Sequence, residues 1–595
     1  MLFVISPQVY RPLMLVIGVL AILRVKPSAG RRGRAIDAAW IVAAVVGLGW
    51  PLAAGDPFLY RAATPTTTDL VAGVLAIIVT CEAARRTTGW ILPVAAAAFL
   101  AYAAAGPALA HVGLTGIAHR GYDVTRLVGS LYMTLEGIYG VALDVAVTYI
   151  ILFSLYGAVL EHSGAGRFFL DFSLRLSSRG DPVRAAGRAV TLGGFLLGTV
   201  SGSGVATTVT LGSVAWPILR RVGVTADTAG AMLAASGIGA LLSPPTLGAA
   251  AFLIAEYLQI SYLQVLVMAT VPTILYYLSI LVMIEGETIG PGGDAAGAIL
   301  RSSTSGAGRS RVEYLHFTSL ILVAVLMVWG LTAFRAVFWA TIAAVLMSFA
   351  MREGRLTPPR LARALAAGGR DVLSVLATTA VAGIIVGVVL LTGLGLKTAG
   401  LIVGLAGQSV AGTVVLSAVA VWILGLAVPV TASYIISAVM VAPALIQVGV
   451  APVAAHMFIF YYAVLSEVSP PTALAPFAAA AITGGRPFRT MMLTWKYALP
   501  AFLVPLAITI DPRGLGLLLQ DVWGSIALTT LTAAGGTVAL AAAFGGWRLA
   551  GAGWAPRVLA GAAGALLLHP APAADAAGAA LALLGVAWGA LGRRT

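Results

Sequence analysis

Leu242-Ser-Pro-Pro-Thr-Leu-Gly248 and Leu465-Ser-Glu-Val-Ser-Pro-Pro-Thr-Ala-Leu-Ala475 are two copies of one interruption, and their reading decides the fold. Each lies in an apolar run long enough to reach across a bilayer. Proline has no amide to donate and clashes with the preceding turn, so a Pro-Pro pair stops a helix and frees carbonyls. The two Ser-Pro-Pro-Thr copies begin 469 − 243 = 226 residues apart. Ahead of each lies a glycine-broken apolar run, Gly198-Thr-Val-Ser-Gly-Ser-Gly204 and Gly425-Leu-Ala-Val-Pro429, whose first glycines are 425 − 198 = 227 residues apart. The recurrence therefore belongs to a whole unit, ordered helix, broken hairpin, broken helix. One Pro-Pro pair alone reads as a kink whose freed groups are satisfied by neighbours. Two copies at the same place in two units point to function.

The surrounding composition fixes the solvent. Of 595 residues, 60% are hydrophobic and only 10% charged, with mean hydropathy +0.98, which excludes a water-soluble enzyme. The net charge of +14 comes from Lys and Arg in short loops between apolar runs, where they orient helices in a membrane instead of binding nucleic acid. The single cysteine, Cys81, forbids an intrachain disulfide and a thiolate metal cluster, and reads as a small helix residue. The glycines at 290–293 lack the lysine of a phosphate loop, and neither His-Glu-x-x-His nor Gly-x-Ser-x-Gly occurs, so no enzyme activity is expected. His456 reads as a surface or interface residue, and Trp40, Trp90 and Trp495 as interface anchors.

Loop charge threads the chain. Arg24, Lys26, Arg31, Arg32 and Arg34 follow the first apolar stretch, the reverse of a signal peptide, so the first helix is expected to stay with the N-terminus outside. Alternation then predicts an all-α polytopic protein of about 15 membrane-spanning helices with a cytoplasmic C-terminus at Arg593-Arg594. Residues 1–125 form four helices, with a fifth at 131–160. The first repeat occupies 126–284 with a re-entrant hairpin at 189–219, entered from the basic side. A Gly/Ser-rich linker, connecting helices and an amphipathic basic segment fill 285–370. The second repeat occupies 371–510, with a hairpin at 398–447 from the opposite face, and 511–595 is a C-terminal extension of three helices. Units of opposite orientation make an inverted-topology repeat, the plan of many secondary transporters.

Interrupted helices expose carbonyls, which with hydroxyls suit a small hard cation such as sodium, while half-helix N-termini favour a carboxylate. The hairpin tips offer Ser201, Ser203, Thr207, Thr208, Thr431 and Ser433, and the breaks add Ser243, Thr246, Ser469 and Thr472. Several of these hydroxyls are expected only to bond back to their own helix. Glu467 lies inside an apolar run, where a carboxylate is costly and reads as a cation ligand or proton carrier, against capping of amides as the plain alternative. Asp144 reads as a paired acid near the outer face.

These residues, with Gly198 to Thr208 and the two break segments, resemble the membrane component of TRAP (tripartite ATP-independent periplasmic) transporters over roughly 125–510. The four N-terminal helices resemble the small subunit in position and number, as in the fused form, and the acidic second break is similar to the subgroup partnered by TAXI-type binding proteins. The resemblance implies a sodium-coupled, elevator-type importer in the bacterial inner membrane, taking a small organic carboxylate from a periplasmic binding protein. By motif position it implies substrate contacts at Ser201, Gly202, Ser203, Gly204, Thr207, Thr431 and Ser433, between the two tips. It implies sodium ligands among Ser201, Ser243, Pro244, Thr246, Gly425, Pro429, Glu467, Ser469, Pro470 and Thr472. The competing readings are a carboxylate symporter that needs no binding protein, a channel, and an integral membrane enzyme.

Overall fold

The computed structural model describes residues 5–177, 181–286, 311–351, 354–426, 428–471, 473–545 and 554–591. Among these residues the chain is helical and without strands. Eight helices are long and apolar enough to cross a membrane, and many shorter apolar ones accompany them, as a polytopic membrane protein requires. The expected linker at 287–310 lies outside the described residues, as do Thr472 and the terminal arginines. The chain divides into two compact units, one of residues 1–155, 252–259 and 366–449, the other of 156–251, 260–365 and 450–595.

The first unit begins with the four expected helices, Pro7–Val25, Gly30–Ala54, Thr67–Thr88 and Ile91–Ala104. With lipid on their outer faces they associate by close packing and polar ties. A side chain at Gly47 would run into the Leu75–Ala76 backbone, so only glycine allows that crossing. Asp69 anchors the bundle: it accepts from Trp50 Nε1 at 2.7 Å and from Arg61 Nε at 2.6 Å, and it closes a capping box with Thr66. Asp144 is paired as expected. Arg11 meets it at 3.0 Å, Tyr10 donates its hydroxyl to it, and Arg11 also reaches the Tyr139 carbonyl. A part-buried acid held this way is a structural tie.

Two expected elements in this unit divide differently. The fifth helix is interrupted: Val124–Tyr132 is followed by Val141–Val145, a π-turn at Ala146–Ile150 and the helix Ile151–His162. The stretch read as one hairpin over 398–447 begins with a separate helix, Leu394–Leu405, ended by Gly407 and Gln408 in left-handed backbone. Ser409 then caps the hairpin arm Val410–Gly425, and Val430–Met440 returns. The basic segment before it is no separate element, because one helix runs from Pro358 to Thr392.

The second unit holds the first hairpin, with arms Pro182–Ser201 and Gly204–Arg221, longer at its base than the expected 189–219. Ala226–Ile238 follows and tightens into a 3-10 turn at Gly239–Leu242; after the break the chain resumes as Ala250–Leu258, of which residues 252–258 belong to the first unit. Ser261 and Gln264 form a capping box that starts the long helix Tyr262–Glu285. The second broken helix, Pro452–Ser466 and Leu474–Thr483, lies in this unit too, followed by Pro487–Ala498 and Val504–Ile510. Its base is joined to the first: Asp227 accepts from the Arg486 amide at 2.7 Å, and Gly230 leaves room for Thr483 and Thr490. His456 is buried within Pro452–Ser466, which decides its reading as a surface or interface residue in favour of an interface between helices, since Ala454 to Ser466 are all buried. The three helices of the extension, Trp523–Phe544, Trp554–Leu568 and Pro572–Leu591, form as expected, and the first packs on Tyr262–Glu285.

Candidate functional site: two breaks and two hairpin tips

The first tip is tied to the first break. Gly202 turns the chain in left-handed backbone (φ +58°), and the Ser203 hydroxyl caps the returning arm by accepting from the Ala206 amide at 3.4 Å. Thr246 donates its hydroxyl to the Thr199 carbonyl at 2.7 Å and lies 3.3 Å from the Gly198 carbonyl. A side chain at Gly198 would stand 2.5 Å from Ala240 Cα, so the arm and the break touch backbone to backbone. Ser201, Gly202, Ser203, Gly204, Ser243, Pro244 and Thr246 are thus gathered in one place.

Three hydroxyls behave as the bland reading expects. Thr208 bonds back to the Gly204 carbonyl, Ser243 to Gly239 and Ser469 to Leu465, each at 2.8 Å. Thr207, one turn into the returning arm, differs: it is buried and its hydroxyl meets no partner among the described residues.

The carbonyls around the first break are occupied by donors the sequence reading missed. Tyr276 donates to the Ala235 carbonyl at 2.7 Å, Tyr277 to Ser236 at 3.3 Å, Thr273 to Leu242 at 2.6 Å and Tyr262 to Pro245 at 3.1 Å. All four come from the helix Tyr262–Glu285. Tyr277 also lies 3.2 Å from the Ser243 hydroxyl. The signal in the sequence was a Tyr-Tyr pair in the middle of an apolar run.

The second break has the same backbone plan, down to a cis bond in each Pro-Pro pair, and a different environment. Glu467 ends the helix Pro452–Ser466, part-buried, and its carboxylate makes no hydrogen bond or ion pair to any described residue. The carbonyls of Glu467, Val468, Ser469, Pro470 and Pro471 accept nothing from the described residues. In the second tip, of the first unit, Gly425 ends one arm and Pro429 precedes the next. Thr431 and Ser433 are buried in the first turn of that arm, and the Ser433 hydroxyl has no partner among the described residues. No group of three His, Cys, Asp or Glu that would hold a transition metal occurs among the described residues.

Paired breaks beside hairpins are transport architecture, and comparison with known proteins agrees. No curated protein matches the chain. The family model described as "Tripartite ATP-independent periplasmic transporter, DctM component" matches residues 75–513, from within the helix Thr67–Thr88 to a point ahead of the helix Trp523–Phe544. A match over that much of 595 residues, ending inside the first few residues of the extension at 511–595, shows that the chain belongs to the tripartite ATP-independent periplasmic transporter family, as a DctM component.

Proposed function

We propose that the protein imports a small organic carboxylate, driven by sodium, after a TAXI-type periplasmic binding protein has delivered it. Membership in the family supports a secondary transporter of organic acids that works with a periplasmic binding partner. The observation that carries the reading is the repeated hairpin and broken helix, each hairpin returning from its tip as a helix N-terminus, at Gly204 and at Val430. Such termini present unpaired amides and a positive dipole end, which favour a carboxylate worth about 0.3–1 kcal/mol per terminus in exposed settings. The unpartnered hydroxyl of Thr207, one turn into the first returning arm, is a donor available to cargo. The cycle is of elevator type, in the inner membrane of a bacterium, with the N-terminus outside and the first four helices acting as a fused small subunit.

Proteoliposome uptake tests this. Radiolabelled organic acids should accumulate only when an inward sodium gradient and the binding protein from the neighbouring reading frame are both present. Uptake without a binding protein would replace the tripartite reading with a stand-alone symporter, and uptake that merely equilibrates would indicate a channel.

A further inference from the structure

The turn between the first two helices, Pro7–Val25 and Gly30–Ala54, is pinned from beneath and carries charge of one sign outside. Both helices are long and apolar enough to cross a membrane, so the turn that joins them lies at a bilayer surface. Asp37 accepts from the Ser28 amide at 2.8 Å, from the Ser28 hydroxyl at 2.9 Å and from Arg86 at 2.6 Å. Arg86 also reaches the Lys26 carbonyl at 3.1 Å, and a side chain at Gly33 would stand 2.8 Å from the Ser28 carbonyl. The acids of this network are already occupied, Asp37 by Arg86 and Glu82 by Arg85 and Arg86. Arg24, Arg31, Arg32 and Arg34 are exposed and form no hydrogen bond or ion pair with any described residue.

Three of these arginines stand where helix electrostatics disfavours them. Arg31 and Arg32 lie in the first turn of Gly30–Ala54 and Arg34 begins the second, beside the positive end of the helix dipole. That first turn holds no acid, and Ala29 has no side chain to cap its amides. A run of cations at an uncapped helix start is repelled by the dipole until an anion from outside the chain joins it. Val25 and Ile36, to either side, are exposed and apolar. We propose that this turn is a binding site for anionic phospholipid. The lipid phosphate is held by Arg31, Arg32 and Arg34 at the helix start, and the acyl chains lie beside Val25 and Ile36. A phosphate there meets unpaired amides, the positive dipole end and guanidinium groups together. The occupant is a lipid because two spanning helices hold the turn at headgroup depth.

A proximity measurement on the full chain tests this. With Cys81→Ser removing the native thiol, a fluorophore is attached at Ile36→Cys, one turn beyond Arg32. The protein is reconstituted in phosphatidylcholine bilayers holding a small fraction of nitroxide-labelled phosphatidylglycerol or nitroxide-labelled phosphatidylcholine. A basic residue at a membrane surface is worth about fivefold in anionic-lipid affinity, so phosphatidylglycerol should quench at least about threefold more efficiently. Arg31→Gln, Arg32→Gln and Arg34→Gln together should abolish that preference. With the repelled cations gone, the same variant should keep or raise the unfolding midpoint in pure phosphatidylcholine. Arg120→Gln, Arg126→Gln and Arg335→Gln together remove the same charge from exposed positions elsewhere and should keep the preference. A parent protein without preference, or a triple variant at the turn that retains it, overturns the site. A control that loses the preference too assigns the effect to net charge and overturns it as well. Loss of quenching in inorganic phosphate, but not in sodium chloride of equal ionic strength, overturns the lipid in favour of a soluble anion. Should the triple variant not fold, Arg31→Gln with Arg32→Gln replaces it: the preference should fall by at least half, and an unchanged one overturns the site.

Discussion

The first and second broken helices differ most plainly in where their tyrosines stand. In the first repeat the Tyr276-Tyr277 pair is on the neighbouring helix and donates into the broken helix, at Ala235 and Ser236. In the second, the positions 226 residues after Ala235 and Ser236 are themselves a tyrosine pair, Tyr461-Tyr462. Those hydroxyls donate outward, Tyr461 to the Ala269 carbonyl at 3.2 Å and Tyr462 to the Phe502 carbonyl at 2.8 Å. Phe502 is itself the counterpart of Tyr276 at that spacing. The donors have crossed the interface. One break has its carbonyls filled from a neighbouring helix, and the other spends its hydroxyls on its neighbours while its own carbonyls accept nothing from the described residues.

The harshest way to break this comparison is to wedge the contact that braces the first tip. Gly198→Val puts a branched side chain where even a Cβ stands 2.5 Å from Ala240 Cα, and backbone on both sides cannot yield cheaply. We expect a loss of about 3 kcal/mol or more, at the top of the range for overpacking, seen as a collapsed unfolding midpoint and no uptake. A variant that folds with wild-type stability would show that the first tip and break are not held in contact.

A gentler cut removes only donors. Tyr276→Phe with Tyr277→Phe leaves the rings and takes two hydroxyls from buried carbonyls. In water-excluded protein each loss would cost about 1–3 kcal/mol, but membrane hydrogen bonds average nearer 0.6 kcal/mol, so about 1–3 kcal/mol for the pair is expected. Chemical denaturation in mixed micelles measures it. The comparison requires cargo affinity to survive within a few-fold, and its abolition would move the first break from brace to binding site.

Much of this architecture was open to reading in the chain. The breaks, the first tip, the N-terminal four helices and the C-terminal three all follow from where apolar runs meet glycine, proline and arginine, which are local signals. What escaped was non-local or conformational. Tyr276 finds its carbonyl 41 residues away, through a packing register that no periodicity encodes. Leu394–Leu405 merged with the hairpin because it ends at Gln408 in a left-handed turn, a conformation that a non-glycine residue does not advertise. His456 was left between surface and interface by its place near a helix start, and only the fold shows Ala454 to Ser466 buried. Glu467 was legible as unusual, since any acid in an apolar run is. That it has no partner among the described residues, while Asp144 has two, could be learned only from the fold.

The finest test gives the second break what the first already has. At the 226-residue spacing Leu499 is the counterpart of Thr273, and Val468 that of Leu242, whose carbonyl Thr273 fills at 2.6 Å. Leu499→Thr would therefore bring a hydroxyl toward the Val468 carbonyl, at small cost in packing because one branched side chain replaces another of somewhat larger volume. If sodium binds at the carbonyls of the second break, an added donor should stabilise the empty protein slightly and compete with the ion. At about 0.6 kcal/mol for such a bond in a membrane protein, sodium affinity falls close to threefold. Sodium-dependent tryptophan fluorescence, read beside the unfolding midpoint, separates the two effects. A weaker titration with an unchanged or higher midpoint is the signature of a filled carbonyl, whereas a lower midpoint with unchanged affinity would mean that the hydroxyl merely disturbs the helix. The reciprocal change, Thr273→Val, opens the Leu242 carbonyl without supplying a carboxylate, and should create no new sodium response, because a bare carbonyl in a dry site does not offset the desolvation of an ion.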